Sequence, residues 1–413
     1  MDLKRLLEDI VYILLILVVV TIPFFVLINS YLIISLLLVS IIYFIRFRKT
    51  NKINTSIFYY FPIALFLVAL LGLAYTEDLK SGFYFIEKNL SALTFPVIFL
   101  LIPFIKSKTE NLLKAFAFAA FSLMTFYFLF QLYLIYDSSQ GLETLFHYNT
   151  HYNIARRFGT HNTYLSAYLI FSIVIFINTI FKHSVKGSKK YLNDLFYIIL
   201  ISTSFLYVII MASRSQFIGL SIVLTSSILI YIYVKRKILI GFLSIIVLIL
   251  SIFFIVQNVH FLSYRFDNFI EDEFKMEKQD RKGEKRFYRW QSIYNNIDKT
   301  SIFGYGTGDE QQMLNSFYEK DDLDIAINKY NAHNEYISSY VRWGWLGLML
   351  IISFFFYQFY VSIKSKDYLY FNFVLIISHL ALYESIFSVQ KGVVFVFFFS
   401  SLFLLKHKSK VID

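Results

Sequence analysis

Apolar runs, each close to the roughly 20 residues a helix needs to cross a hydrocarbon core of about 30 Å, recur along the whole chain. They fall at 10–29, 31–46, 57–74, 92–105, 112–136, 164–181, 193–211, 216–233, 238–256, 336–361, 367–387 and 391–405. Hydrophobic residues make up 57% of the chain and charged residues only 16%, too few to cover so much apolar surface in water. Lipid is therefore the expected solvent. The 48 Phe and 32 Tyr suit lipid-facing and interfacial positions. We expect an all-α integral membrane protein with about 12 transmembrane helices. No cleavage pattern follows the first run, which is expected to stay as a span. With no cysteine, disulfides, thiol catalysis and iron–sulfur centres are excluded.

Charge orients the bundle. Basic clusters at Lys4/Arg5, Arg46–Lys49, Lys106/Lys108, Lys182–Lys190, Lys235–Lys237, Lys364/Lys366 and Lys406–Lys410 fall on alternate loops. By the positive-inside rule these loops are cytoplasmic, as are both termini. The same rule accounts for the net charge of +11 without invoking nucleic acid. The chain then divides into helices 1–9 over residues 1–256, a large periplasmic loop over 257–335, and helices 10–12 with a cytoplasmic tail over 336–413.

The long loop is expected to be partly helical. Phe287, Trp290, Tyr294 and Ile297 recur at helical spacing, predicting a short amphipathic helix within 283–297 with Arg286 and Arg289 on a neighbouring face. Ser301–Gly308 is a glycine-rich turn, by default a tight turn, with phosphate contact as the functional alternative. A second short helix begins near Asp309, whose carboxylate suits an N-cap. No Walker motif or dinucleotide fingerprint is present, and no cofactor is expected.

Certain polar residues sit where lipid makes them expensive. Arg214 lies between two long apolar runs, either snorkelling to headgroups or turned inward to grip an anion with its planar fork. Arg156 and Arg157, on a smaller outer loop, carry the same two readings. Arg286 and Arg289 read as solvated helix residues or partners of nearby acids. Together, arginines on three outer loops would suit a membrane-anchored pyrophosphate. His333, where the long loop re-enters the membrane beside Asn334 and Glu335, is the candidate general base, against a plain hydrogen-bonding role. His147 and His151 have i, i+4 spacing but no third ligand nearby, so no metal site is expected. Glu384 is the main charged residue inside a late span, either a structural partner or a site residue.

The order of these motifs resembles the core domain of bacterial O-antigen ligases and O-antigen polymerases. The matching residues are Arg286/Arg289 with Trp290, then Phe303–Gly308, His333-Asn334-Glu335-Tyr336, and Trp343-Gly344-Trp345-Leu346-Gly347. Upstream, Ser213-Arg214-Ser215 and Arg157–Asn162 resemble the family's Ser-Arg turn and Arg-x-Gly segment, although His161 departs from it. The resemblance implies a glycosyltransferase of C-type architecture in the bacterial inner membrane, with its active site facing the periplasm. Its donor would be a glycan on undecaprenyl pyrophosphate and its acceptor a sugar hydroxyl, lipid A–core in the ligases. It further implies that Arg214, Arg157 or Arg156, with Arg289 and Arg286, hold the pyrophosphate. His333 would take the acceptor proton, Glu335 would orient His333, and Tyr305, Gly306 and Asn334 would contact substrate.

Twelve spans and one dominant outer loop favour a ligase over a polymerase. From another class, a flippase or transporter without chemistry would place ionisable residues at mid-membrane and show repeated halves. No such repeat stands out.

Overall fold

The computed structural model describes residues 3–47, 60–139, 141, 144, 159, 161–182, 188–211, 213–258, 286–323 and 330–407. Among the described residues the chain is helical, without strands. The helices are α1 (Leu3–Thr21), α2 (Val26–Phe47), α3 (Phe61–Leu71), α4 (Leu79–Leu101), α5 (Thr109–Asp137), α6 (Asn162–Lys182) and α7 (Ser188–Ile210). They continue with α8 (Arg214–Lys235), α9 (Ile238–Asn258), α10 (Arg286–Asn296), α11 (Glu310–Lys320), α12 (Glu335–Lys364), α13 (Tyr368–Tyr383) and α14 (Gln390–His407).

Among the described residues, 8 helices are long and apolar enough to cross a membrane, and the segments Phe61–Tyr75 and Tyr368–Tyr383 are apolar but shorter. The remaining two expected runs correspond to α1 and α14. The first carries Lys4, Arg5, Glu8 and Asp9 in its opening turns. The second is buried almost all round inside the protein.

Several boundaries differ from the apolar runs for physical reasons. The first two runs separate at residues 22–25, where Pro23 cannot continue the amide ladder, rather than at Asn29. Asn29 lies inside α2, and its Nδ2 donates 2.8 Å to the Val18 carbonyl and 2.9 Å to Thr21 Oγ1. Helix α4 starts at Leu79, well before the apolar run, because Asp78 caps it by accepting from the Ser81 amide at 3.0 Å. Its charged first half is invisible to a hydropathy reading.

The chain forms two compact units. The first comprises residues 1–39, 107–267 and 366–377, and the second 40–106, 268–365 and 378–413. In the first unit α6 is the central helix, buried on nearly every side and packed on α5, α7 and α8. Asn162 at its start donates 3.2 Å to the Met211 carbonyl, tying it to the turn that leads into α8.

In the second unit α14 plays that part against α4, with Phe398 edge-on to Phe95 and Phe99 at 5.1 and 5.4 Å. A second apolar core belongs to the same unit. Tyr288, Ile293, Leu314, Phe317, Tyr318, Leu323, Ala332 and Val341 cluster between α10, α11 and the first turns of α12. Burying a large apolar side chain contributes roughly 1.5–3 kcal/mol, so this cluster is sufficient to order two 11-residue helices that would not persist alone.

Helix α10 forms inside the expected segment, but its buried face is Tyr288, Arg289, Ser292 and Ile293, while Phe287 and Tyr294 are 38% and 65% exposed. The polar members are buried because each finds a carbonyl. Ser292 Oγ donates 2.8 Å to Phe317 O, and Arg289 Nη1 donates 3.2 Å to Asn331 O.

Asp309 occupies the N-cap position of α11 but makes no side-chain cap bond. Its carboxylate instead accepts the backbone amides of Glu77 and Asp78 at 2.9 and 2.8 Å. This pins the base of the long loop to the segment before α4.

Candidate functional site

The last turn before α12 places His333. Asn334 caps the helix, its Oδ1 accepting the Ile337 amide at 3.1 Å. One residue upstream, His333 takes φ +47°, a left-handed conformation that a non-glycine residue adopts only when its surroundings impose it. Three contacts impose it here. Asn331 Oδ1 accepts the His333 amide at 3.1 Å, Trp290 Nε1 donates 2.7 Å to the Ala332 carbonyl, and Arg289 holds the Asn331 carbonyl. Arg289 is buried rather than solvated, with its guanidinium 5.2 Å from the Tyr330 ring centre. Helix α10 thus acts as a brace for the histidine.

The carboxylate on the histidine ring is Glu384, not Glu335. His333 Nδ1 and Glu384 Oε2 are 3.0 Å apart, and Arg286 Nη2 lies 3.4 Å from Glu384 Oε1. Burial pushes the His333 imidazole below its ordinary pKa; Glu384 opposes that shift, and Arg289 and Arg286 add to it. The ring is therefore neutral near pH 7. With Nδ1 against the carboxylate, Nε2 carries the free lone pair. The His333 side chain is 23% exposed.

Glu335 fails the orienting role expected of it for a helical reason. As the first residue of α12 it points into the protein, 0% exposed. Its Oε1 accepts from Arg342 Nη1 at 2.9 Å and Ser339 Oγ at 3.2 Å, and its Oε2 accepts the Phe387 amide at 2.8 Å. Arg342 completes the cluster, its Nε donating 2.6 Å to Glu310 Oε2. Arg342 does not stand out in the motif order. The signal that would have found it is an arginine inside an otherwise apolar span.

The glycine-rich turn repairs a broken helix. Trp343 and Gly344 leave helical geometry within α12, stranding carbonyls and amides on both sides of the kink. Tyr305 N and Gly306 N donate 2.9 Å each to the carbonyls of Val341 and Arg342. In return Trp345 N and Leu346 N donate to the carbonyls of Ser301 and Ile302 at 3.2 and 3.1 Å. The Tyr305 and Gly306 amides, which a phosphate would require, are therefore already committed. The Tyr305 hydroxyl accepts the Asp298 amide at 3.2 Å.

The second unit thus brings together His333, Asn334, Arg286, Arg289 and Glu384, with Glu335 behind them. Arg214 belongs to the first unit, where it is the first residue of α8, after Ser213 in the N-cap position. Arg156, Arg157, His147 and His151 lie outside the described residues. Asn162, which follows that segment, is the residue bonded to Met211 just before Arg214.

Residues 199–352 match the family described as O-antigen ligase. The matched stretch holds Arg214, α10, the glycine-rich turn, His333 and the α12 kink, and stops short of Glu384. No curated protein matches the chain. Residues 199–352 are thus similar to the O-antigen ligase domain, a match that supports the O-antigen ligase superfamily.

Proposed function

We propose that the protein is a glycosyltransferase of the bacterial inner membrane that moves a glycan from undecaprenyl pyrophosphate to an acceptor sugar hydroxyl, lipid A–core in the ligase reading, on the periplasmic side. The observation that carries this reading is the His333–Glu384 pair with Arg286 and Arg289 beside it, inside or bordering an O-antigen ligase domain.

The chemistry needs a base and an anion hole. The acceptor oxygen attacks the anomeric carbon and gives its proton to His333 Nε2. The bond from that carbon to the phosphate oxygen breaks, and undecaprenyl pyrophosphate departs with the electron pair. Glu384 holds the imidazole in the required tautomer and stabilises the imidazolium that forms. Arg286, partly exposed, is the cation of this group best placed to meet a phosphate; Arg289 contributes its charge from behind while bracing the loop. Arg214, Arg156 and Arg157 are proposed as the remaining pyrophosphate ligands, and Asn334 as a substrate contact. The pyrophosphate is a stable leaving anion, so no strong general acid is required.

The test incubates purified protein with a lipid-linked glycan and, separately, lipid A–core or a second lipid-linked glycan. Extension of lipid A–core supports a ligase, and extension of the second glycan indicates a polymerase. A fully active His333→Ala protein would sink the base assignment. Glycan movement across the bilayer with no transfer would indicate a transporter.

A further inference from the structure

The short turn from Glu384 to Ser388 is held at five points. Asn89 Nδ2 donates 2.8 Å to the Phe387 carbonyl and Lys88 Nζ 3.2 Å to the Ser388 carbonyl, both from α4. The other three holds come from the first turns of α12. Glu335 Oε2 accepts the Phe387 amide at 2.8 Å, the Ser338 and Ser385 hydroxyls pair at 2.9 Å, and Arg342 Nη2 donates 2.6 Å to Ser388 Oγ. His333 enters that same helix directly.

Arg342 is the hub. It is 0% exposed, with its guanidinium 4.5 Å from the Phe85 ring centre and bonded to Glu310, Glu335 and Ser388. Taking a guanidinium and two carboxylates out of water costs more than an apolar filling of the same volume would. Such a cluster is an expensive way to gain stability alone. What it supplies is direction, because a planar fork with five donors can fix three partners at set angles. One partner is the carboxylate at the start of α12, and another is the hydroxyl at the end of the Glu384 turn.

We propose that Arg342 and Glu335 are positioning residues that set the Glu384 carboxylate against the His333 ring. This rests on His333 being the base. The charged groups facing His333 are Glu384 and, from α10, Arg286 and Arg289; the Glu335 carboxylate is turned away to Arg342.

The test uses the purified full-length protein with lipid-linked glycan and acceptor. Three variants are compared: Ser388→Ala, which removes one hydroxyl and leaves the ion cluster whole, Arg342→Lys and Arg342→Gln. Transfer by Arg342→Gln should fall about tenfold, the usual scale for a partner one shell out, with donor KM unchanged. The acid limb of kcat/KM should move to lower pH, in the direction given by Glu384→Gln. Ser388→Ala should show a smaller shift of the same sign, and Arg342→Lys should restore part of the loss. Adding Arg342→Gln to Glu384→Gln should move the limb no further. An unmoved limb in all three variants, or fully additive shifts, overturns the positioning role and leaves Arg342 a brace of the fold. Should Arg342→Gln fail to fold, Ser388→Ala and Arg342→Lys decide the matter. Activity retained in His333→Gln rejects the base reading itself. An inactive His333→Gln beside native limbs in the Arg342 and Ser388 variants rejects only the positioning.

Discussion

His333 Nδ1 lies 3.0 Å from Glu384 Oε2, although the two residues are 51 apart in the chain. Neither reaches the other by local geometry. The histidine is held by its left-handed backbone and the α10 brace, and the glutamate by the turn clamped to α12 and α4. The pair is therefore preorganised, which a base needs if its proton is to be taken in one direction only.

This arrangement predicts the pH dependence. The base acts in its neutral form, and burial lowers the His333 pKa, so neutral imidazole persists below the ordinary value of about 6.5. The acid limb of kcat/KM should therefore lie below that pH. Glu384→Gln removes the group that raises the pKa and should move the limb lower still. Arg286→Ala removes a cation that lowers it and should move the limb upward. Shifts of the same sign in both variants, read from pH–rate profiles, would contradict the electrostatics.

Gly304 and Gly344 sit where loop and kink leave no room for a side chain. A Cβ on Gly304 would sit 2.5 Å from Gly344 N, and one on Gly344 would sit 2.5 Å from Ile302 C and Ser301 O, with φ at +69° and +58°. Backbone cannot yield as a flexible side chain can. Either Gly→Ala substitution should cost about 2–4 kcal/mol and lower the thermal midpoint in detergent. A midpoint equal to native would show that the loop does not seal the kink.

Asp309 accepts two backbone amides with a carboxylate that is nearly buried. Asp309→Ala strands both donors, at about 1.5–3 kcal/mol for a bond to a charged group. Asp309→Asn keeps one acceptor oxygen and should recover about half of the loss. Limited proteolysis between residues 72 and 82 provides the local readout, with faster cleavage expected in the order native, Asn, Ala.

Trp290→Phe keeps an aromatic ring and removes the 2.7 Å bond to the Ala332 carbonyl along with part of the indole's bulk. A stability loss of about 1 kcal/mol is expected. Transfer should fall several-fold, because His333 loses one of the contacts that hold its left-handed backbone. A variant with reduced stability and native turnover would show that the brace is not needed for catalysis.

Much of the protein was legible in one dimension. The apolar runs at helical span length located most of the helices, because burying that much apolar surface in lipid leaves the backbone few alternatives. The order of His333, the glycine-rich turn and the Trp343-Gly344 pair pointed to the family that residues 199–352 match. Helices α10 and α11 were foreseen from periodicity and from Asp309, within a few residues.

Tertiary structure alone decided the rest. Sequence proximity made Glu335 the apparent partner of His333, but the first turn of α12 sends its carboxylate inward to Arg342, and Glu384 reaches the histidine from the turn that follows α13. Periodicity placed Phe287 and Tyr294 on the buried face of α10, whereas carbonyls on neighbouring segments made burial of Arg289 and Ser292 possible. The glycine-rich segment reads by default as a tight turn, and only the structure makes it a splint for a kinked helix. In each case the deciding term is a hydrogen bond or ion pair between distant segments. Hydropathy and spacing carry no information about such pairs, because they depend on which helix faces arrive side by side.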